Sequence, residues 1–276
     1  MQGRASIDLA PIPAQESKNM RIMESIHMKR DRFLFLIPMV GIFVFWEATS
    51  RIFLEGGNVP PPSEVVATLF CCLSEPSFLV IVLRTFLNLS TGIILALLIA
   101  VPVALATGLR EKTDNVVTPL IMLAGSLPDL ALIPLFAHFL GPGDAVAILM
   151  SSICAFFPIY FTVRGGVKAI PIEYFHVSRI FGKDRVDTFM KMILPAISPY
   201  IISGLRISFD FVWEIVLAIE IFAGVSGIGS FINRMMSTEF PKMEYALAGI
   251  MVIGCIAVTA DRLLFGYLES KIRRWA

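Results

Sequence analysis

Apolar runs of roughly 20 residues, the length an α-helix needs to cross a bilayer, recur along this chain, each ended by charge, proline or glycine. Six such runs cover Phe33 to Phe53, Ile81 to Leu109, Val116 to Leu140, Ala145 to Thr162, Pro199 to Phe222 and Tyr245 to Leu268. Gly125, Pro128 and Pro134 interrupt the third, which predicts a kinked or two-piece helix whose freed carbonyls turn to neighbouring helices or a water-filled path. Between the fourth and fifth runs the pattern changes to a basic, mildly amphipathic stretch from Pro171 to Pro195. Pro171 stands where a helix start tolerates a missing amide, and Gly182 where a left-handed residue ends one. About ten helical residues lie between them, roughly 15 Å of helix. Ile172, Phe175, Val177, Ile180 and Phe181 are apolar, while Glu173, His176 and Arg179 recur at spacing three on another face. Asp184 is placed to cap a second helix running through Phe189 and Ile193 into Leu194 and Pro195. A helix too short to span either lies on the membrane surface or inserts into a partner's groove, and this pattern fits both.

Composition agrees with a membrane protein: of 276 residues, 56% are hydrophobic and 16% charged, and the mean hydropathy is +0.77. The net charge of +1 gives no reason to expect nucleic acid as a partner. The placement of charge is more telling, because Lys and Arg bias the segments that stay in the cytoplasm. Lys18, Arg21, Lys29, Arg30 and Arg32 lie in the first 32 residues, Arg110 and Lys112 in the second turn, and Lys271, Arg273 and Arg274 at the end. Arg164, Lys168, Arg179, Lys183, Arg185 and Lys191 fill the long loop, and all of these fall on one side. Arg51, Arg234 and Lys242 fall on the other. Both termini and the Pro171 loop are therefore expected on the cytoplasmic side of the membrane. The expected organisation is a cytoplasmic tail over 1–32, a six-helix transmembrane domain over 33–270 and a basic cytoplasmic end over 271–276. A cleavable signal peptide competes for the N-terminus, with Phe33 to Trp46 as its apolar region and Ala48-Thr49-Ser50 as a poor cleavage site.

Cys71, Cys72, Cys154 and Cys255 form no C-x-x-C pair and no metal-like spacing with His27, His138 or His176, so they read as apolar fillers. No G-x-x-x-x-G-K-[ST] occurs, and neither a Ser/His/Asp set nor H-E-x-x-H is apparent, so the chain is expected to be no enzyme and to bind no cofactor itself. No inverted repeat of the kind found in many secondary transporters stands out.

Gly182, with Ile193, Leu194 and Pro195 at the right distance, resembles the cytoplasmic "EAA" loop of permease subunits in binding-protein-dependent ABC importers. The Ser126 to Leu135 run SLPDLALIPL is similar to the family's third-span segment. Gly204-Leu205-Arg206, Glu220 with Gly224, Ser226, Gly227, Ile228 and Gly229, and Pro60 to Ser63 extend the likeness over about residues 33 to 275. The branch it resembles most carries taurine, alkanesulfonates, nitrate, bicarbonate or pyrimidine precursors. The resemblance implies an all-α permease of the type I importer kind, whose loop over 167–195 is a coupling helix seated in a cleft of an ATP-hydrolysing subunit. The residues it assigns to docking are Pro171, Glu173, Phe175, His176, Val177, Ser178, Arg179, Phe181, Gly182, Leu194 and Pro195. It further implies two ATPase subunits that bind ATP-Mg, an external solute-binding protein and a second permease copy. One departure stands out: the family's Glu-Ala-Ala triplet falls on His176-Val177-Ser178, and Glu173 is the nearest acid, one turn earlier.

Arg206, Asp210 and Glu214 recur at spacing four on one face of the fifth run, with Glu220 further along. Charges at membrane depth face a bundle interior or a wet path. They read either as an internal Arg206 to Asp210 pair or as a polar strip along a translocation path with Pro128, Pro134 and Glu220. Arg84 and the Asp261-Arg262 pair lie nearer the interfaces and read as snorkelling or topology residues, with Arg84 also a possible partner for a spare carboxylate. An independent secondary transporter or channel, whose loop lies on the lipid, is the alternative to an ATP-driven importer, and a non-transporting scaffold or receptor is a third reading.

Overall fold

The computed structural model describes residues 37–52, 59–237 and 241–272, and among these every regular element is helical. The basic tail over 1–32, the start of the first expected span, and Arg273 and Arg274 lie outside the described residues. The chain divides at Ser63 into two compact units. In the first, α1 (residues 37–52) is joined to the chain entering α2 (Pro62–Ser74) through one carboxylate. Glu47 accepts from the Ser63 amide at 3.0 Å, the Ser63 hydroxyl at 2.8 Å and the Arg51 guanidinium at 2.6 Å.

The second unit is built on α3 (Pro76–Leu109), α6 (Asp144–Lys168) and α9 (Leu194–Phe222), with α6 packed between the other two. What lets these helices close is a ridge of small residues. Ala96, Ala100 and Ala104 recur at spacing four on α3 and are at most 1% exposed. Gly92, one turn earlier, approaches Ser151 of α6 so closely that an added Cβ would overlap it. Lipid tails are as apolar as leucine, so close van der Waals contact across small residues replaces burial from water as the packing force. Gly204 does the same on α9, where a Cβ would sit 3.0 Å from the Ile159 backbone.

α4 (Glu111–Gly125) and α5 (Asp129–Leu140) make one expected span in two pieces, bent by 86° across Ser126-Leu127-Pro128. Pro134 does not break the chain as expected but sits inside α5, which continues through it. α7 (Ile172–Ile180) and α8 (Arg185–Thr188) form the loop between α6 and α9. α10 (Ile228–Met236) follows α9, and α11 (Met243–Thr259) joins α12 (Gly266–Ile272) through a π-helical turn over Ala260–Phe265.

Among the described residues three helices, Pro76–Leu109, Asp144–Lys168 and Met243–Lys271, are long and apolar enough to cross a membrane, or four if the bent pair is one span. The fifth expected span is a 29-residue helix that carries Arg206, Asp210, Glu214 and Glu220. The first is described only over residues 37–52. Fold class follows the sequence pattern, whereas among the described residues length and apolarity fit up to four of the six expected spans.

Candidate functional site: an exposed coupling loop and two polar clusters

The loop after α6 folds as its punctuation predicts. Pro171 is extended at the helix start, with φ −60° and ψ 141°, and α7 runs nine residues to Ile180. Gly182 has φ +63°, a conformation that costs a residue with a Cβ about 1 kcal/mol or more. Its amide donates to the Arg179 carbonyl at 3.0 Å, and the Lys183 amide to the Ser178 carbonyl at 3.1 Å. These two bonds complete a Schellman ending. The Asp184 carboxylate accepts from the Asp187 amide at 2.7 Å, capping α8. Ser178 and Thr188 hydroxyls meet at 2.6 Å, joining the two short helices.

No residue of α7 is buried. Of the apolar stripe, Phe175 alone packs toward the core, while Ile172, Val177, Ile180 and Phe181 are exposed, the last two by 82% and 74%. Glu173, His176 and Arg179 are also exposed and form no ion pair among the described residues. The stripe is therefore not a face that this chain covers itself. α8 continues without a break through a π-helical turn over Phe189–Ile193 into α9, so that Leu194 and Pro195 lie within one helical rod from Arg185 to Phe222. Asp187 is bridged by Lys191 at 2.6 Å and Lys183 at 3.6 Å. The hydrogen bond from Lys191 is the largest of the effects holding the Asp187 carboxyl below the usual carboxylate range.

The charges of α9 are arranged differently from expectation. Arg206 does not pair with Asp210; it binds Asp261 at 2.7 Å and Glu269 at 3.0 Å. Side chains on a helix lean toward its N-terminus, so an arginine four residues before an acid points away from it. Asp261 thus pairs with Arg206 across to α9. Arg84 is likewise committed: its guanidinium grips Asp144 through two bonds of 2.9 and 2.8 Å, and Asn88 adds a third at 3.1 Å. Asp210 and Glu214 remain exposed, with no ion pair among the described residues, and Pro128 and Pro134 are exposed on the bent pair.

Glu220 does not belong to that strip. It is fully buried, accepting from the Thr85 hydroxyl and the Gly229 amide, both at 2.7 Å. The Thr85 oxygen in turn accepts from the Ile228 amide at 2.9 Å. Two orphan amides at the start of α10 are thereby satisfied, and a carboxylate meets the positive end of the helix dipole. A Cβ at Gly227 would overlap the Glu220 carboxylate. Ten residues separate Glu220 from Asp210, which on a helix puts it roughly 80° short of a full turn away.

A second cluster was not singled out from sequence. Asp114, only 4% exposed, receives two bonds of 2.5 and 2.7 Å from Arg164, a contact from Lys168 and a bond of 2.6 Å from Thr118. Thr118 also meets the Tyr160 hydroxyl at 2.6 Å. This ties the start of α4 to the end of α6 just before α7. Its one sequence signal is an acid in the basic turn between the second and third spans.

The described residues thus form an all-helical bundle of apolar helices, with a short exposed helix held between two core helices. The family model described as the binding-protein-dependent transport system inner membrane component matches residues 92–274, and the chain belongs to that family of ABC-importer permease subunits. Among its relatives is the taurine transport system permease protein TauC of Escherichia coli, 31% identical over 241 residues, covering 86% of each chain. Another, the nitrate import permease protein NrtB of a Synechocystis species, is 24% identical over 86% of this chain and 87% of its own. A solved structure of the MetNI methionine ABC transporter in inward-facing conformations shares the fold, with a TM-score of 0.59 at 15% identity over 73% of this chain and 99% of that one. Family membership makes the chain a transport subunit of the inner membrane that works with an ATPase and a binding protein.

Proposed function

We propose that two copies of this chain form the translocation unit of an importer, each receiving one ATPase subunit on α7 from the cytoplasm. Exposure of Ile180 and Phe181 at the end of a helix closed by the Gly182 turn carries this reading. An apolar surface so rigidly presented is suited to insertion into a partner's groove. ATP-Mg binds the partner, since this sequence has no phosphate-binding loop of the Walker type. Both termini are cytoplasmic, following the Lys/Arg bias, and the binding protein delivers solute at the opposite face, near α10 and the Gly141-Pro142-Gly143 turn.

The docking residues are those of the loop: Pro171, Gly182 and Pro195 shape it, and the exposed side chains of Glu173, His176, Val177, Arg179 and Phe181 meet the ATPase. Ser178 serves inward, through Thr188, and Phe175 anchors α7 to the core. When the ATPases close on ATP, α7 moves with them, and the rod from Arg185 to Phe222 carries that movement to Asp210 and Glu214. This is a rigid-body alternating-access step, with the π-helical turn at Phe189–Ile193 as its compliant point.

The solute is a small sulfonate that carries an amino group, as taurine does. Support comes from the charge pattern: Asp210 and Glu214 are unpaired among the described residues, while Arg206 and Arg84 are engaged elsewhere. Such a strip favours a cationic group and repels a bare anion such as nitrate or bicarbonate. Uptake of labelled taurine by cells expressing the complete importer tests this. Taurine uptake that nitrate does not suppress, and that Asp210→Asn with Glu214→Gln reduces at least tenfold, supports the reading; uptake of nitrate alone rejects it.

A further inference from the structure

A groove of about 400 Å³ runs between α3, α4 and α6, walled by Ala96, Ile99, Leu120, Ala124, Leu149 and Phe156 among others. Its one hydroxyl, on Ser152, is already engaged with the carbonyls of Ile148 at 2.9 Å and Gly92 at 3.1 Å. With no spare polar group, the groove offers nothing to a charged solute and suits a hydrocarbon chain.

One end of the groove approaches the basic end of the bundle. On α4, Lys112 precedes Leu120 by about 12 Å of helix, and Arg164 follows Phe156 on α6 by about the same rise. Arg110 and Lys112 are exposed and form no ion pair among the described residues. Arg164 and Lys168 share the single carboxylate of Asp114, and Lys168 remains 44% exposed. Glu111 is the other acid in the turn. Four cations therefore stand against two carboxylates around the start of α4 and the end of α6. A hydrocarbon slot beneath an excess of positive charge matches a molecule with an apolar tail and an anionic head.

We propose that this groove is a binding site for an anionic phospholipid of the cytoplasmic leaflet, its acyl chain between α3, α4 and α6 and its phosphate beside Arg110 and Lys112. The site rests on the cytoplasmic placement of the basic end. A zwitterionic lipid fills the same groove but leaves the excess charge unmet. Bound there, the lipid bridges α4 and α6, the helix that leads into α7, and braces the base of the coupling loop.

Native mass spectrometry of the full chain, delipidated in detergent and offered dioleoyl phosphatidylglycerol or dioleoyl phosphatidylcholine, reads the site without transport. The unaltered chain is expected to retain the anionic phosphatidylglycerol about tenfold better. Arg110→Ala with Lys112→Ala is expected to bring the two lipids within about twofold, and Ala124→Phe to weaken both by filling the slot. Equal retention of both lipids by the unaltered chain overturns the proposal, as does undiminished selectivity in the double variant. A cross-link from Leu120→Cys into another copy also overturns it, by assigning the groove to a second protomer. Because binding is measured alone, its failure leaves the permease reading standing, and loss of transport leaves this one untouched.

Discussion

The α7 loop and the Glu220 cluster carry residues of the same family resemblance, yet they are built in opposite ways. α7 buries none of its residues and closes its own C-terminal end through the Gly182 turn, and its apolar side chains are left for something outside the chain. Glu220 is wholly buried and gives its oxygens to Thr85 and Gly229, holding α3, α9 and α10 together. A residue that resembles a family motif can thus be there to be touched or to hold its neighbours, and burial separates the two. The comparison implies that damage at Glu220 appears in stability, and damage at α7 in coupling.

The largest effect is expected from Glu220→Ala. It strands the Gly229 amide away from water, at about 1–3 kcal/mol, leaves the Thr85 hydroxyl only the Ile81 carbonyl at 3.3 Å, and opens a cavity between α3, α9 and α10. Detergent thermal unfolding should fall by roughly 10 °C for a chain of this size, and unchanged unfolding would remove Glu220 from the scaffold. Gly92→Val comes next: it forces α3 away from Ser151 and should cost about 1–3 kcal/mol by overpacking, read in the same unfolding experiment. Ile180→Asp with Phe181→Asp should leave unfolding within about 0.5 kcal/mol of the unaltered chain while abolishing solute-stimulated ATP hydrolysis in the assembled importer. A drop in stability comparable to Glu220→Ala would erase the distinction between the two regions.

The smallest effect concerns acid. Lys191, chiefly, holds the Asp187 carboxyl below its ordinary range. A group whose folded pKa is depressed stabilises above its unfolded value, about 3.9 for aspartate, and loses that contribution as pH falls through the folded value. Trypsin cleavage at Lys183 or Arg185, measured after brief exposure to pH 5 and then to pH below 3, should increase only at the lower pH. Asp187→Asn should show no such step. Equal cleavage profiles for the two chains would mean that the Lys183–Asp187–Lys191 bridge does not order the loop.

Features set by neighbours in sequence were readable in advance. Pro171, Gly182 and Asp184 punctuate α7 and α8 because caps and left-handed turns are decided within a few residues, and Gly125 with Pro128 marked the bend for the same reason. Pro134 misled, since helices in membranes accommodate proline when neighbours meet the freed carbonyl. Long-range partners were not readable. Glu220 meets Thr85 across 135 positions and Arg206 meets Glu269 across 63, and no periodicity in either helix reports which distant element will pack there. The Gly92, Ala96, Ala100, Ala104 ridge lay in plain view at spacing four. It was obscured because α3 is apolar on every side, so hydrophobicity does not distinguish its packed face.

The central claim is that α7 is the surface on which the ATPase subunit is held. It is tested most directly by purifying the chain from membranes in which the partner ATPase is co-expressed, and measuring how much ATPase it retains. The unaltered chain should retain the ATPase in stoichiometric amount, while Ile180→Asp with Phe181→Asp should lose at least nine-tenths of it and remain folded and membrane-inserted. Full retention by that variant would contradict the account.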